Sequence, residues 1–200
     1  MSVVVALKYK DKCWLACDRQ VTLGDSRIYL ESQHKIFDVP GRPGCLVGHV
    51  GLLRGINLLE TNNNYIDELA YYKKQLDYSY MVNYFPLAVQ DLFTQHGLLY
   101  SEEEKQMFTL KGDFIVVTPD NEMFEIGWDG SVMEKCSFAA IGSGKEYALG
   151  SLCTATLPEE ATDEDVMRVL QDAVLAAGLN IACGGGGIIM NNKDKEIFEF

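Results

Sequence analysis

The sequence is short of positive charge, of clustered histidine and of long apolar runs, and each shortage removes a class of function. Seventeen Lys and Arg stand against 29 Asp and Glu in 200 residues, a net charge of −12. Phosphate contacts need clustered Lys and Arg, so no nucleic acid is expected as a partner. Anionic lipid needs basic segments too, and no apolar run approaches the roughly 20 residues of a spanning helix, so no membrane is expected. Met1 to Leu7 is apolar, but it lacks a basic leader, a full apolar stretch and a small-residue cleavage site, and does not read as a signal peptide. Cys13, Cys17, Cys45, Cys136, Cys153 and Cys183 include no C-x-x-C pair, and the histidines are not clustered. That pattern suits neither zinc nor a disulfide framework, so no metal ligands are assigned and a reduced, cytoplasmic protein is expected.

What remains is an ordinary globular composition, 48% apolar, with length enough for one core and a single domain over residues 1–200. Val3–Leu7 and Cys13–Cys17 are two apolar runs around a polar bend, the pattern of a hairpin buried on both faces, with Cys13 and Cys17 on one face. Ile28–Leu30, Lys35–Val39 and Cys45–Val50 read as further strands. Leu52, Leu53, Ile56, Leu58 and Leu59 recur at helical spacing, the pattern resumes over 65–76, and Leu87, Val89, Leu92 and Phe93 suggest another helix ending before Gly97. Phe114–Val117, Met123–Trp128 and Ser131–Ile141 form a strand meander. Helices follow over 145–157, stopped by Pro158, and from the N-cap Thr162 onward, before closing strands at 188–190 and 197–200. The Gly184–Gly187 run lacks a following Lys-Ser/Thr and is no P-loop. The order of elements predicts an α+β fold, a four-layer αββα sandwich of two antiparallel sheets flanked by helices.

Six segments carry a resemblance. They are Ser2-Val-Val-Val-Ala-Leu, Leu15-Ala-Cys-Asp18-Arg-Gln-Val-Thr22-Leu-Gly24, His34-Lys35-Ile-Phe, and Gly48-His-Val-Gly51, read as a glycine turn opening the first helix. Ala140-Ile-Gly142-Ser143-Gly144 followed by Tyr147-Ala148, and Asn180-Ile-Ala-Cys183-Gly-Gly-Gly, complete the set. In this order they resemble a proteasome β-type subunit, and more closely the bacterial proteasome-like peptidase that partners a ring ATPase. The resemblance implies the N-terminal-nucleophile hydrolase fold and a peptidase.

It also implies roles. Ser2, once Met1 is removed, stands where the family carries threonine, and its α-amine, with an ordinary pKa near 8, is the base that takes the hydroxyl proton. Lys35 lies beside the nucleophile, with His34 as the competing occupant, and Asp18 anchors that lysine. Gly51 N–H donates to the oxyanion, and Ser143 completes the nucleophile's hydrogen bonds. Asn180 and Cys183 stand where the family usually has Asp and often Ser. Val21, Thr22 and Leu23 face an extended polypeptide substrate, and His49 with Leu53 and Val21 forms the primary side-chain pocket. No cofactor is required, although the family often binds a structural cation near its C-terminal loops. The implied partners are further copies in a homo-oligomeric ring and an ATP-dependent unfoldase. Two rival readings share the fold: a ring subunit without activity, and an amidohydrolase acting on a small amide.

Overall fold

A computed structural model describes residues 2–23, 26–99, 108–194 and 196–200. The chain opens with β1 (Val3–Tyr9) and β2 (Lys12–Asp18), followed by β3 (Gln20–Leu23), β4 (Ser26–Tyr29), β5 (Ile36–Asp38) and β6 (Leu46–Gly51). Four helices follow, α1 (Leu53–Thr61), α2 (Glu68–Tyr72), α3 (Tyr78–Asn83) and α4 (Phe85–Gln95). Strands β7 (Gly112–Val117), β8 (Met123–Ile126), β9 (Val132–Lys135) and β10 (Phe138–Gly142) lead to α5 (Lys145–Thr154) and α6 (Asp163–Ala177). The chain closes on β11 (Gly187–Asn191) and β12 (Phe198–Glu199).

Two five-stranded sheets result, ordered β10-β1-β2-β11-β12 and β5-β6-β7-β8-β9, each paired antiparallel throughout. The alternation of side chains explains why β1 is apolar at every position. Val4 and Ala6 face the second sheet, packing with Ile36, Leu46 and Ile115. Val3, Val5 and Leu7 face outward and are covered by Ala148, Leu152, Leu170 and Val174 of α5 and α6. Strand β2 divides likewise, with Cys13, Leu15 and Cys17 between the sheets and Trp14 and Ala16 under the helices. On the other side, Val47, Phe114, Val116 and Phe124 carry the α1–α4 layer through Ile56, Leu59, Met81, Phe85 and Phe93. The architecture is the αββα sandwich that the order of elements predicts.

Several boundaries differ from the sequence reading, each for a local reason. The stretch 65–76 holds only α2, because the Asp67 carboxylate accepts Ala70 N–H and starts the helix late, and Lys74 at φ 54 ends it. Asp77 then caps a new helix, α3, through Tyr80 N–H, an element the apolar spacing missed. Gly48–Gly51 is the end of strand β6 rather than a turn, with Gly48 opposite Ile36 and Ile115. Strand β4 is exposed and, among the described residues, pairs only with β3, forming a two-stranded ribbon separate from both sheets. No helix among the described residues is long and apolar enough to cross a membrane.

Helix α6 starts as its sequence dictates. The Thr162 hydroxyl accepts Asp165 N–H at 3.3 Å, and the Asp165 carboxylate accepts Thr162 N–H at 3.0 Å. This reciprocal pair supplies side-chain acceptors to two amides of the first turn. Replacing Thr162 by Ala should cost about 1 kcal/mol and lower the melting temperature by about 2–4 °C. Thermal unfolding followed by circular dichroism measures it, and an unchanged midpoint would show that the cap contributes nothing.

Candidate active site

Asp18 ends β2, and its carboxylate collects four donors. Oδ1 accepts from the Lys35 ammonium at 2.6 Å and from Val3 N–H at 2.9 Å. Oδ2 accepts from Gln20 N–H at 3.3 Å and Gly184 N–H at 3.1 Å. The Lys35 ammonium also donates to the Gln20 carbonyl at 2.6 Å. Both side chains of the ion pair have no solvent exposure. Bringing two charges out of water is costly, and the additional hydrogen bonds are what make it tolerable. Lys35, just before β5, is therefore the residue that reaches Asp18, and the half-buried His34 is not.

Ser2 is buried, directly before β1. The same Asp18 oxygen that holds Lys35 holds the amide that follows Ser2, so the lysine and the start of β1 meet at one atom. From the other side Val3 pairs with Gly142. Gly142 has φ +96, and a Cβ there would strike the Ser2 carbonyl, so this position requires glycine. Asn180 secures the adjoining loop. Its amide donates to the Ser143 carbonyl at 2.6 Å, while its Oδ1 accepts Ala182 N–H at 3.0 Å. The Ser143 contact thus runs through main chain. Cys183 is buried behind Gly144, and burial, with Asp18 nearby, pushes its thiol up to about 11, so it stays protonated at neutral pH.

Gly51 is exposed at the end of β6 and pairs with Gly112 of β7. His49 lies beneath both: a Cβ added at Gly51 or at Gly112 would come within 2.8 or 2.5 Å of its ring. The ring is fully buried, stacks on Phe114 at 4.4 Å between centroids, and contacts the Asp113 carbonyl through Nδ1 at 3.2 Å. Nε2 has no hydrogen-bond partner. His49 and Leu53 both sit against the helix-side core, while Val21 and Thr22 lie half-buried in the ribbon. The side chain of Leu23, together with Gly24 and Met1, falls outside the described residues.

Two participants were not singled out from the sequence. Gln20 is almost fully buried, accepts from Lys35, and donates from its side chain to the Ile181 carbonyl at 3.0 Å. Its signal was a polar residue two positions beyond a buried Asp. Gly184 acts through its amide, which no side-chain pattern reveals. The described residues hold no group of three or more His, Cys, Asp or Glu able to bind a metal.

Two outcomes follow for stability. Asp18→Ala leaves a buried ammonium and three amides without their acceptor and should cost about 3–5 kcal/mol, whereas Lys35→Met, which leaves Asp18 three amide donors, should cost less. Denaturant titration ranks them, and the reverse order would refute the assignment of Asp18 as the hub. Burial lowers the His49 pKa from 6.5 to about 4, against a small opposing effect of the Asp113 carbonyl. Between those values the unfolded chain binds a proton that the native chain does not. Stability is complete above about pH 6.5 and falls by roughly 3 kcal/mol as the pH drops to 4. His49→Leu should remove that part of the slope.

Comparisons with known proteins bear on the family and the fold. The family model for the proteasome subunit matches residues 2–191. No curated protein sequence matches the chain. Among solved structures, BPH of Thiobacillus denitrificans is similar with a TM-score of 0.69 and 19% identity, covering 97% of this chain and 100% of that one. The same protein in complex with epoxomicin gives 0.64 and 20%, covering 94% and 97%. Eukaryotic HslV from Trypanosoma brucei gives 0.62 and 19%, covering 94% and 98%. With the match running from Ser2 through β11, and with the same fold in these structures, the chain belongs to the proteasome subunit family.

Proposed function

We propose that this chain is a peptidase subunit in which Ser2, made N-terminal by removal of Met1, is the nucleophile. The observation that carries the reading is the shared Asp18 oxygen, which ties the buried Lys35 ammonium to the backbone beside Ser2. In this scheme the α-amine takes the proton from the Ser2 hydroxyl as Oγ attacks the peptide carbonyl carbon. The negative charge that develops on the carbonyl oxygen is met by Gly51 N–H and by the field of Lys35. The amine then returns the proton to the leaving nitrogen, and the C–N bond breaks to give an ester on Ser2. Water, deprotonated by the same amine, hydrolyses that ester. No cofactor enters.

Substrate would lie extended along β3. One edge of β3 pairs with β4, and among the described residues no strand occupies the other, which is available for main-chain pairing next to Thr22. We further propose assembly of copies into a ring fed by an ATP-dependent unfoldase, in line with membership of the family.

One observation favours a subunit without activity. Asn180 is a neutral residue that clamps two loops, so it adds no counter-charge to Lys35. A single experiment separates the two readings. Intact mass should show the chain starting at Ser2. Incubation with epoxomicin, the compound bound to the Thiobacillus denitrificans protein, should add its mass once per chain. Ser2→Ala should abolish the adduct and lower hydrolysis of a fluorogenic peptide by at least about a hundredfold. A chain that retains Met1, forms no adduct and cleaves nothing would leave only the inactive reading.

A further inference from the structure

Helices α2 and α3 leave a groove between them. It has a volume of about 450 Å³ and its lining includes Asp67, Leu69, Gln75, Asp77, Tyr80 and Tyr84. That size suits one or two side chains of a bound segment. Tyr80 forms the floor: it is buried, stacks on Tyr84 at 5.7 Å, and its hydroxyl is engaged by Asp67 N–H at 2.8 Å. Two large apolar side chains stand exposed on the walls, Leu69 at 59% and Tyr84 at 64%. Tyrosines that present ring area without much loss of freedom are typical of the centres of interfaces.

The charge of the groove has one sign. Asp67 and Asp77 each use Oδ1 to cap a helix, toward Ala70 N–H at 2.7 Å and Tyr80 N–H at 2.9 Å. Among the described residues no cation pairs with either carboxylate, and no Lys or Arg lines the groove. Each acid therefore keeps its second oxygen for a ligand.

We propose that the α2–α3 groove docks an extended segment of a partner protein in which Lys or Arg is flanked by large apolar side chains. The apolar residues would cover Leu69 and Tyr84, and the cation would lie between the two carboxylates, where complementary charge selects the partner and speeds the encounter. A second copy of this chain is the other occupant, and sedimentation distinguishes it. The proposal goes beyond the peptidase reading and does not depend on Ser2.

The probe is a fluorescein-labelled, amidated peptide that alternates leucine and lysine, added to the full-length chain and followed by fluorescence anisotropy. The double variant Asp67→Asn, Asp77→Asn removes both charges yet keeps the capping oxygens, since Asn caps helices as well as Asp. Binding should weaken at least tenfold in that variant and in Tyr84→Ala, with far-ultraviolet circular dichroism unchanged. It should also weaken when glutamate replaces lysine in the peptide, and at 0.5 M salt. The proposal is overturned if the wild type does not bind, if the variants or the glutamate peptide bind equally well, or if sedimentation shows self-association that Tyr84→Ala abolishes.

Discussion

The carboxylate of Asp18 is the constraint on which the candidate site depends. It draws together the ends of four separated stretches of chain: the start of β1, the start of β3, the approach to β5 and the loop before β11. Three of its donors are backbone amides with no other buried acceptor described for them. The fourth is a lysine that could not be buried unpaired. In a low-dielectric setting such a junction is strong when complete and costly when any member is missing. This geometry makes the position of Lys35 a property of the fold rather than of one side chain's preference.

How much of this could be read from the sequence depends on whether side chains or main chain carry the information. The sandwich was legible because β1 and β2 are apolar at both parities, and only strands covered on two faces require that. The start of α6 was legible because Thr162 and the acids after it are side-chain signals. Asp18 and Lys35 were singled out through the family resemblance, and their pairing is visible in the coordinates. In the α2–α3 region the apolar spacing suggested a helix over 65–76 and missed α3, whose start is set by the Asp77 cap rather than by apolar residues. Gln20 and Gly184 contribute a carbonyl and an amide, which every residue has, and so left little trace in the pattern.

His49 illustrates the same division. The resemblance places it in the primary side-chain pocket, but its neighbours are Phe93, Phe114 and three glycines, and its environment strips its charge. The glycines at 51 and 112 make room for the ring, so the histidine fills the space beneath the strand ends that present Gly51. A residue that is chemically versatile in water serves here as a packing element with one unanswered nitrogen.

The amide of Val3 has a consequence for how this region tolerates change. An anchor made of main chain is indifferent to the identity of the residue that supplies it, so evolution can exchange the aliphatic group at position 3 freely within the limits of its volume. Only an imino acid, which has no proton to give, breaks the link outright. The register of the chain's first residues is therefore written in the peptide bond itself, leaving the side chains around it free to diverge.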